Sequence, residues 1–123
     1  MTLQPPDGFR LRTVLPAQTG DVCIRVIGDL DWDTADELTR VAREHLETGV
    51  PSRVLRLDFT DLAACDSAGL AALLLIQRYA VATDHRLHLD HRPEHLERLL
   101  EVTGTLAHLT GTREDARRGT QER

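Results

Sequence analysis

Apolar residues recur at every second position in some stretches of this chain and at every third or fourth position in the stretches between. That alternation of period constrains the fold more than any single motif. Phe9, Leu11, Thr13 and Leu15 fall on one face of an extended segment, with Arg10 and Arg12 on the other. After a short turn over residues 16–20, Val22, Ile24 and Val26 repeat at period two, with Cys23, Arg25 and Ile27 between them. The two segments are expected to close as a hairpin. Thr34-Ala-Asp-Glu37 then reads as a capping box, in which the threonine oxygen accepts from the third helical amide and the glutamate reaches back. Leu38, Val41, Ala42, His45 and Leu46 follow at helical spacing until Gly49 and Pro51 stop the helix.

The pattern continues in the same way. Residues 54–59 alternate, with Leu55, Leu57 and Phe59 facing in. A short loop leads to a helix from about Ser67 to Ala82, apolar all round and expected to be the most buried. Arg86 to Asp90 forms a strand with Leu87 and Leu89 inward. Pro93 opens a helix that turns Leu96, Leu99 and Leu100 inward, and Gly104 ends it. Residues 106–109 are expected to form a last short strand. Strands separated by helices imply parallel crossovers. Arg25, Arg56 and His88 alternate with the inward residues, and a sheet covered on both faces would bury them. The expected fold is therefore α/β, with a mixed sheet made of an N-terminal hairpin plus parallel strands, and helices mainly on one face.

At 123 residues the chain suits one domain, expected over residues 9–110, with a flexible N-terminus (1–8) and a flexible charged tail (111–123). Its net charge of −5 argues against nucleic acid as a partner. Every strongly basic side chain is arginine, so lysine-dependent phosphate cradles and Schiff bases are excluded. No apolar run is long enough for a membrane span, and residues 1–8 lack the pattern of a secretion signal; a cytoplasmic protein is expected. Cys23 and Cys65 read as reduced thiols rather than a zinc or disulfide framework.

The segment Asp58-Phe-Thr-Asp-Leu-Ala-Ala-Cys-Asp-Ser-Ala-Gly-Leu70 runs from a strand's end into the apolar helix. Ser67 falls at the cap or first turn, where amides lack intrahelical partners and the helix dipole is positive. A phosphate there is expected to take hydrogen bonds from those amides. Gly69 is expected to leave room for a partner. Asp66, Asp61, Asp29, Asp31 and Asp33 are expected to line one edge, so that a phosphoserine repels a partner. On these residues alone, Ser67 or Asp66 as a plain helix cap is the weightier alternative.

Residues 54–79, with their Asp-Ser-Ala-Gly-Leu core, resemble the signature of the STAS family of bacterial anti-sigma factor antagonists. Gly28-Asp-Leu-Asp31 resembles that family's Gly-Glu-Leu-Asp motif, and Leu99-Leu-Glu-Val-Thr-Gly104 its closing helix; the similarity spans about residues 21–109. The resemblance implies a non-enzymatic partner switch. The unmodified protein binds an anti-sigma factor that is also a serine kinase, which frees a sigma factor. Phosphorylation of the residue matching Ser67 ends the complex, and a serine phosphatase resets it. Asp31 matches an acidic position near that serine. Many members carry a second hydroxyl where this chain has Ala68. The implied partner-binding set is Asp31, Trp32, Asp66, Ser67, Ala68 and Gly69, with no cofactor, metal, membrane or small-molecule substrate. The alternative is an interaction module of another signalling or transporter-associated assembly.

Other readings carry less weight. His85, His88, His91 and His95 do not converge as metal ligands, because strand spacing sends neighbours to opposite faces. A serine hydrolase is the rival enzyme, but Cys65 stands where a nucleophile elbow needs glycine. Trp32 either folds back on the core or anchors an interface. Cys65 has no basic neighbour in sequence to activate it, so burial is its expected role.

Overall fold

A computed structural model describes residues 8–15, 21–49 and 53–110. The chain runs β1 (Arg10–Val14), β2 (Val22–Leu30), α1 (Ala35–Thr48), β3 (Val54–Asp58), β4 (Leu62–Cys65), α2 (Ser67–Ala82), β5 (Arg86–Asp90), α3 (Glu94–Val102) and α4 (Leu106–Thr110). The sheet order is β1-β2-β3-β5, with β4 paired to β2. β1 and β2 are antiparallel, with Leu11 opposite Val26, and every other pairing is parallel. This is the mixed sheet expected. The turn proposed over 16–20, the stop at Pro51 and both proposed termini lie outside the described residues or largely so.

Strand parity sorts the chain into two faces. Ile24, Val26, Leu55, Leu57, Leu87 and Leu89 are buried, whereas Arg25, Arg56, Asp58, His88 and Asp90 remain half-buried or exposed on the other side. The buried side meets the helices. Leu38, Ala42 and Leu46 of α1, Leu73, Ile76 and Ala80 of α2, and Leu96 and Leu100 of α3 join it in one core around Phe59. Each fully buried leucine or isoleucine contributes ~1.5–3 kcal/mol. The opposite face is polar and laced with ion pairs, Arg56 to Asp90 at 3.1 Å and Arg25 to Asp61 at 2.8 Å. Helices cover one face, as the alternation implied.

Four expectations need correction. Residues 62–65, read as loop, form β4. They are too few to show a period, and Ala63 and Ala64 carry no apolar signal of their own. β2 turns to receive them at Gly28, whose φ of +100° disfavours a side chain and where the register shifts. Residues 106–109 are helix rather than strand: the Leu109 amide donates to the Thr105 carbonyl at 2.9 Å, one helical turn back. The capping box does not form. Thr34 has helical backbone angles and makes no side-chain cap to α1. Helix α2 buries more residues than α1 or α3, as expected, with Ala71, Leu75 and Val81 exposed on its outer side. Pro93 occupies the N-cap of α3 rather than its first turn.

Candidate functional site

The site begins where β2 and β4 end together. Leu30 pairs with Cys65, and the Asp66 amide donates to the Leu30 carbonyl at 3.2 Å. The loops that follow, 31–34 and 66–67, therefore leave the sheet side by side. In the first loop Asp31 acts as a local scaffold. Its Oδ1 accepts from the Asp33 amide at 3.0 Å, and its carbonyl accepts from Ala35 at 2.8 Å. Thr34, buried, binds this loop backwards. Its Oγ1 accepts from the Asp31 amide at 2.9 Å and donates to the Asp29 carbonyl at 2.8 Å. The hydroxyl expected to cap α1 instead fastens the loop to the end of β2. Glu37 then has no capping threonine to complement.

In the second loop the cap is Asp66. Its Oδ1 accepts from the amides of Ala68 at 2.9 Å and Gly69 at 3.0 Å. Ser67 is thus the first helical residue of α2, exposed, and its hydroxyl has no hydrogen-bond partner among the described residues. The two amides expected to receive a phosphate are already occupied by a carboxylate. A phosphate on Ser67 would face that carboxylate instead of an empty anion site.

Gly69 does not leave room for a partner, contrary to expectation. It is buried, and a Cβ there would stand 2.5 Å from the Leu30 carbonyl oxygen and 2.8 Å from the Cys65 sulfur. Its bare backbone lets α2 lie directly on the end of β2. Cys65, half-buried, packs at the same contact: burial, and then the charge of Asp66, push its thiol up to about 12. That makes it a packing residue.

Asp61 is likewise not part of the acidic edge, because it faces the open sheet and pairs with Arg25. The carboxylates in the two loops that leave the sheet together are Asp66 and those of the 31–34 loop. Trp32 is 81% exposed, so it does not fold back on the core. It forms one wall of a groove of about 410 Å³ between α1 and α2, with Ala35, Asp36, Thr39, Ala68, Ala71, Ala72 and Leu75. Small residues keep the floor low while Trp32 rises beside it. Of the residues singled out in the sequence, Trp32 and Ala68 line this groove, Asp31, Asp66 and Ser67 lie in the adjoining loops and helix start, and Gly69 is buried. The groove itself was missed. Ala35 and Thr39 on one helix and Ala68, Ala71, Ala72 and Leu75 on the other were the available signal, a small-residue stripe on each of two helices.

The histidines stand apart: His91 Nδ1 lies 3.1 Å from Asp58, His85 Nδ1 3.0 Å from the Thr83 hydroxyl, and His95 Nε2 3.4 Å from the Leu62 carbonyl. Among the described residues no group of three or more His, Cys, Asp or Glu side chains is placed to hold a metal ion. No helix among them is long and apolar enough to cross a membrane.

A sequence model of the family described as Mlab, STAS domain, matches residues 14–110. The chain belongs to the STAS family. Solved STAS structures share its architecture. The anti-sigma factor antagonist SpoIIAA in its unphosphorylated form is 21% identical, with 78% of this chain and 80% of that one covered and a TM-score of 0.63. SpoIIAA, a Bacillus cell fate determinant, is also known in its phosphorylated form, which aligns at a TM-score of 0.60. An anti-sigma factor antagonist from Mycobacterium paratuberculosis is 22% identical over 88% of this chain and 87% of that one, with a TM-score of 0.64. A sulfate transporter family protein from Wolinella succinogenes gives 22% identity, 80% and 76% coverage and the same TM-score of 0.64. These likenesses establish the STAS fold, and they join antagonists and transporter-associated domains alike.

Proposed function

We propose that this chain is an anti-sigma factor antagonist that seats a protein partner on the rim formed by Trp32, Ser67 and the α1–α2 groove, and that phosphorylation of Ser67 ends the complex. The partner on this reading is an anti-sigma factor with serine kinase activity, and a serine phosphatase restores the free hydroxyl. The observation that carries it is the Ser67 hydroxyl, exposed, unpartnered among the described residues, and next in sequence to Ala68, which lines an apolar groove walled by an exposed tryptophan. A partner that fills the groove must strip water from its mouth. A phosphoserine brings roughly −1.5 to −2 charge there, while the Ala68 and Gly69 amides already bind the Asp66 carboxylate. Desolvating that charge costs several kcal/mol in a partner surface that offers no matching cation. The switch then lies in docking and leaves the fold alone.

The test is co-purification of the full-length chain with an anti-sigma factor kinase from the native bacterium, followed by addition of ATP. Ser52 and Ser67 are the only serines, so phosphopeptide mapping assigns the site without ambiguity. Ser67→Ala is expected to hold the kinase constitutively and Ser67→Asp to bind it weakly; equal affinity of the two refutes the switch. Trp32→Ala is expected to weaken binding without lowering the melting temperature. The likeness to the Wolinella protein favours a second reading, an interaction module of a transporter-associated assembly. That reading expects partner binding through the same rim with no phosphate on Ser67.

A further inference from the structure

We propose that the free edge of β1 is a docking strand for an extended acidic segment of a partner protein, on the side of the sheet away from α1 and α2. β1 is the last strand in the sheet order, and among the described residues it packs chiefly on β2. Every second residue of such an edge turns its N–H and C=O outward, ready to pair with another strand.

Charge says what kind of strand fits. Elsewhere on the open face cations and carboxylates are matched, Arg56 with Asp90 and His91 with Asp58. Arg10 and Arg12 are exposed and have no ion-pair partner among the described residues. Arg12 stands directly opposite Arg25 in the register, a like-charge pair that costs stability. Arg25 itself is only half answered: Asp61 takes one terminal nitrogen at 2.8 Å, while its Nε is buried with no acceptor. In a chain of net charge −5, two guanidinium groups with no ion-pair partner among the described residues, beside a third that Asp61 only half answers, are a local excess of positive charge. Arg10 and Arg12 are two residues apart, about 7 Å along the strand, which is also the same-face spacing of any incoming strand. Carboxylates at alternate positions of a partner would meet them in step. The residues between those carboxylates would lie beside half-buried Leu11 and exposed Thr13, near Leu15 (63% exposed), while Val14 (51%) continues the arginine face. A second copy fits worse, because antiparallel pairing centred on β1 would set Arg12 against the copy's own arginine.

The experiment titrates the full-length chain with a fluorescent peptide of about six residues that alternates glutamate with valine or threonine. The controls are a peptide of the same composition with its glutamates contiguous, and two peptides N-methylated on alternate residues in either frame. The alternating peptide is expected to bind and to slow amide exchange at Leu11–Val14. One N-methylation frame is expected to abolish binding and the other to leave it. Arg10→Glu/Arg12→Glu is expected to weaken binding at least about tenfold, and Arg10→Gln/Arg12→Gln, which disturbs the edge less, by a smaller factor. Equal binding of the contiguous peptide, indifference to both N-methylation frames, no binding at all, or a dimer of the chain alone formed through β1 would each overturn the proposal.

Discussion

Replacing Gly69 by alanine tests the close approach of α2 to the end of β2. Alanine is ordinarily the better helix residue by ~1 kcal/mol, so on propensity alone the change should stabilise α2. The geometry predicts the opposite. The added carbon would lie 2.5 Å from the Leu30 carbonyl oxygen, 2.8 Å from the Cys65 sulfur and 3.0 Å from Leu30 Cγ. The sulfur and the Leu30 side chain have some freedom to yield. The carbonyl does not, because it is the end of β2 and accepts the Asp66 amide at 3.2 Å. Relief requires α2 to lift from the sheet, at an overpacking cost of ~1–3 kcal/mol, and loss of that hydrogen bond adds ~0.5–1.5 kcal/mol. The net expectation is a destabilisation of ~1–3 kcal/mol. Thermal unfolding should show it as a melting temperature lowered by about 5–15 °C, with urea denaturation confirming the free energy. Ala68→Gly, one residue away on the groove side, serves as the propensity control. A Gly69→Ala protein as stable as the parent would mean that α2 slides freely over β2, and the argument from close approach would be wrong.

Thr34→Val keeps the shape of a buried side chain but leaves the Asp31 amide and the Asp29 carbonyl without their partner. A loss of about 2 kcal/mol is expected in urea titration, with Thr34→Ser largely retaining stability. For Asp58, burial pulls the carboxyl upward, but hydrogen bonds from the Thr60 hydroxyl and amide and from His91 outweigh it and leave the group below its ordinary 3.8. Its stabilisation is therefore complete above that value and lost as pH falls through the lower folded value. Asp58→Asn should flatten the acid limb of the melting-temperature profile between about pH 5 and pH 2, and an unchanged limb would contradict the assignment. With its thiol pushed up to about 12, Cys65 should resist iodoacetamide at about pH 8 until urea unfolds the chain; labelling at the rate of a free thiol would show that the burial is not real.

Much of the fold was legible because its signals are periodic. Leu55, Leu57, Leu87 and Leu89 on strands, and Leu38, Ala42 and Leu46 on a helix, repeat often enough to identify both element and inward face. Arg25, Arg56 and His88 at the intervening positions disclosed the open side. What escaped was short or set by tertiary contact. β4 has four residues and the last helix five, fewer than a period can resolve. Thr34 looked like a cap because its neighbours spell one, yet the Asp31 amide of the loop and the Asp29 carbonyl at the end of β2 compete for the same hydroxyl and win. Ser67 was placed within one residue, but which of Asp66 and Ser67 holds the amides depends on backbone angles that the letters do not state. Gly69 was read as open toward a partner because its burial arises from the end of β2, distant in sequence.

The grip of Asp66 on the two amides at the head of α2 bears on how long the protein survives in a cell. A phosphate on Ser67 would meet amides already taken by a carboxylate, and the marked form would also lose the protection of a bound partner. Quality-control proteases draw on the transiently opened population and would clear the marked form at least as fast as the unmarked one. Abundance would then fall, not rise, as the switch is marked.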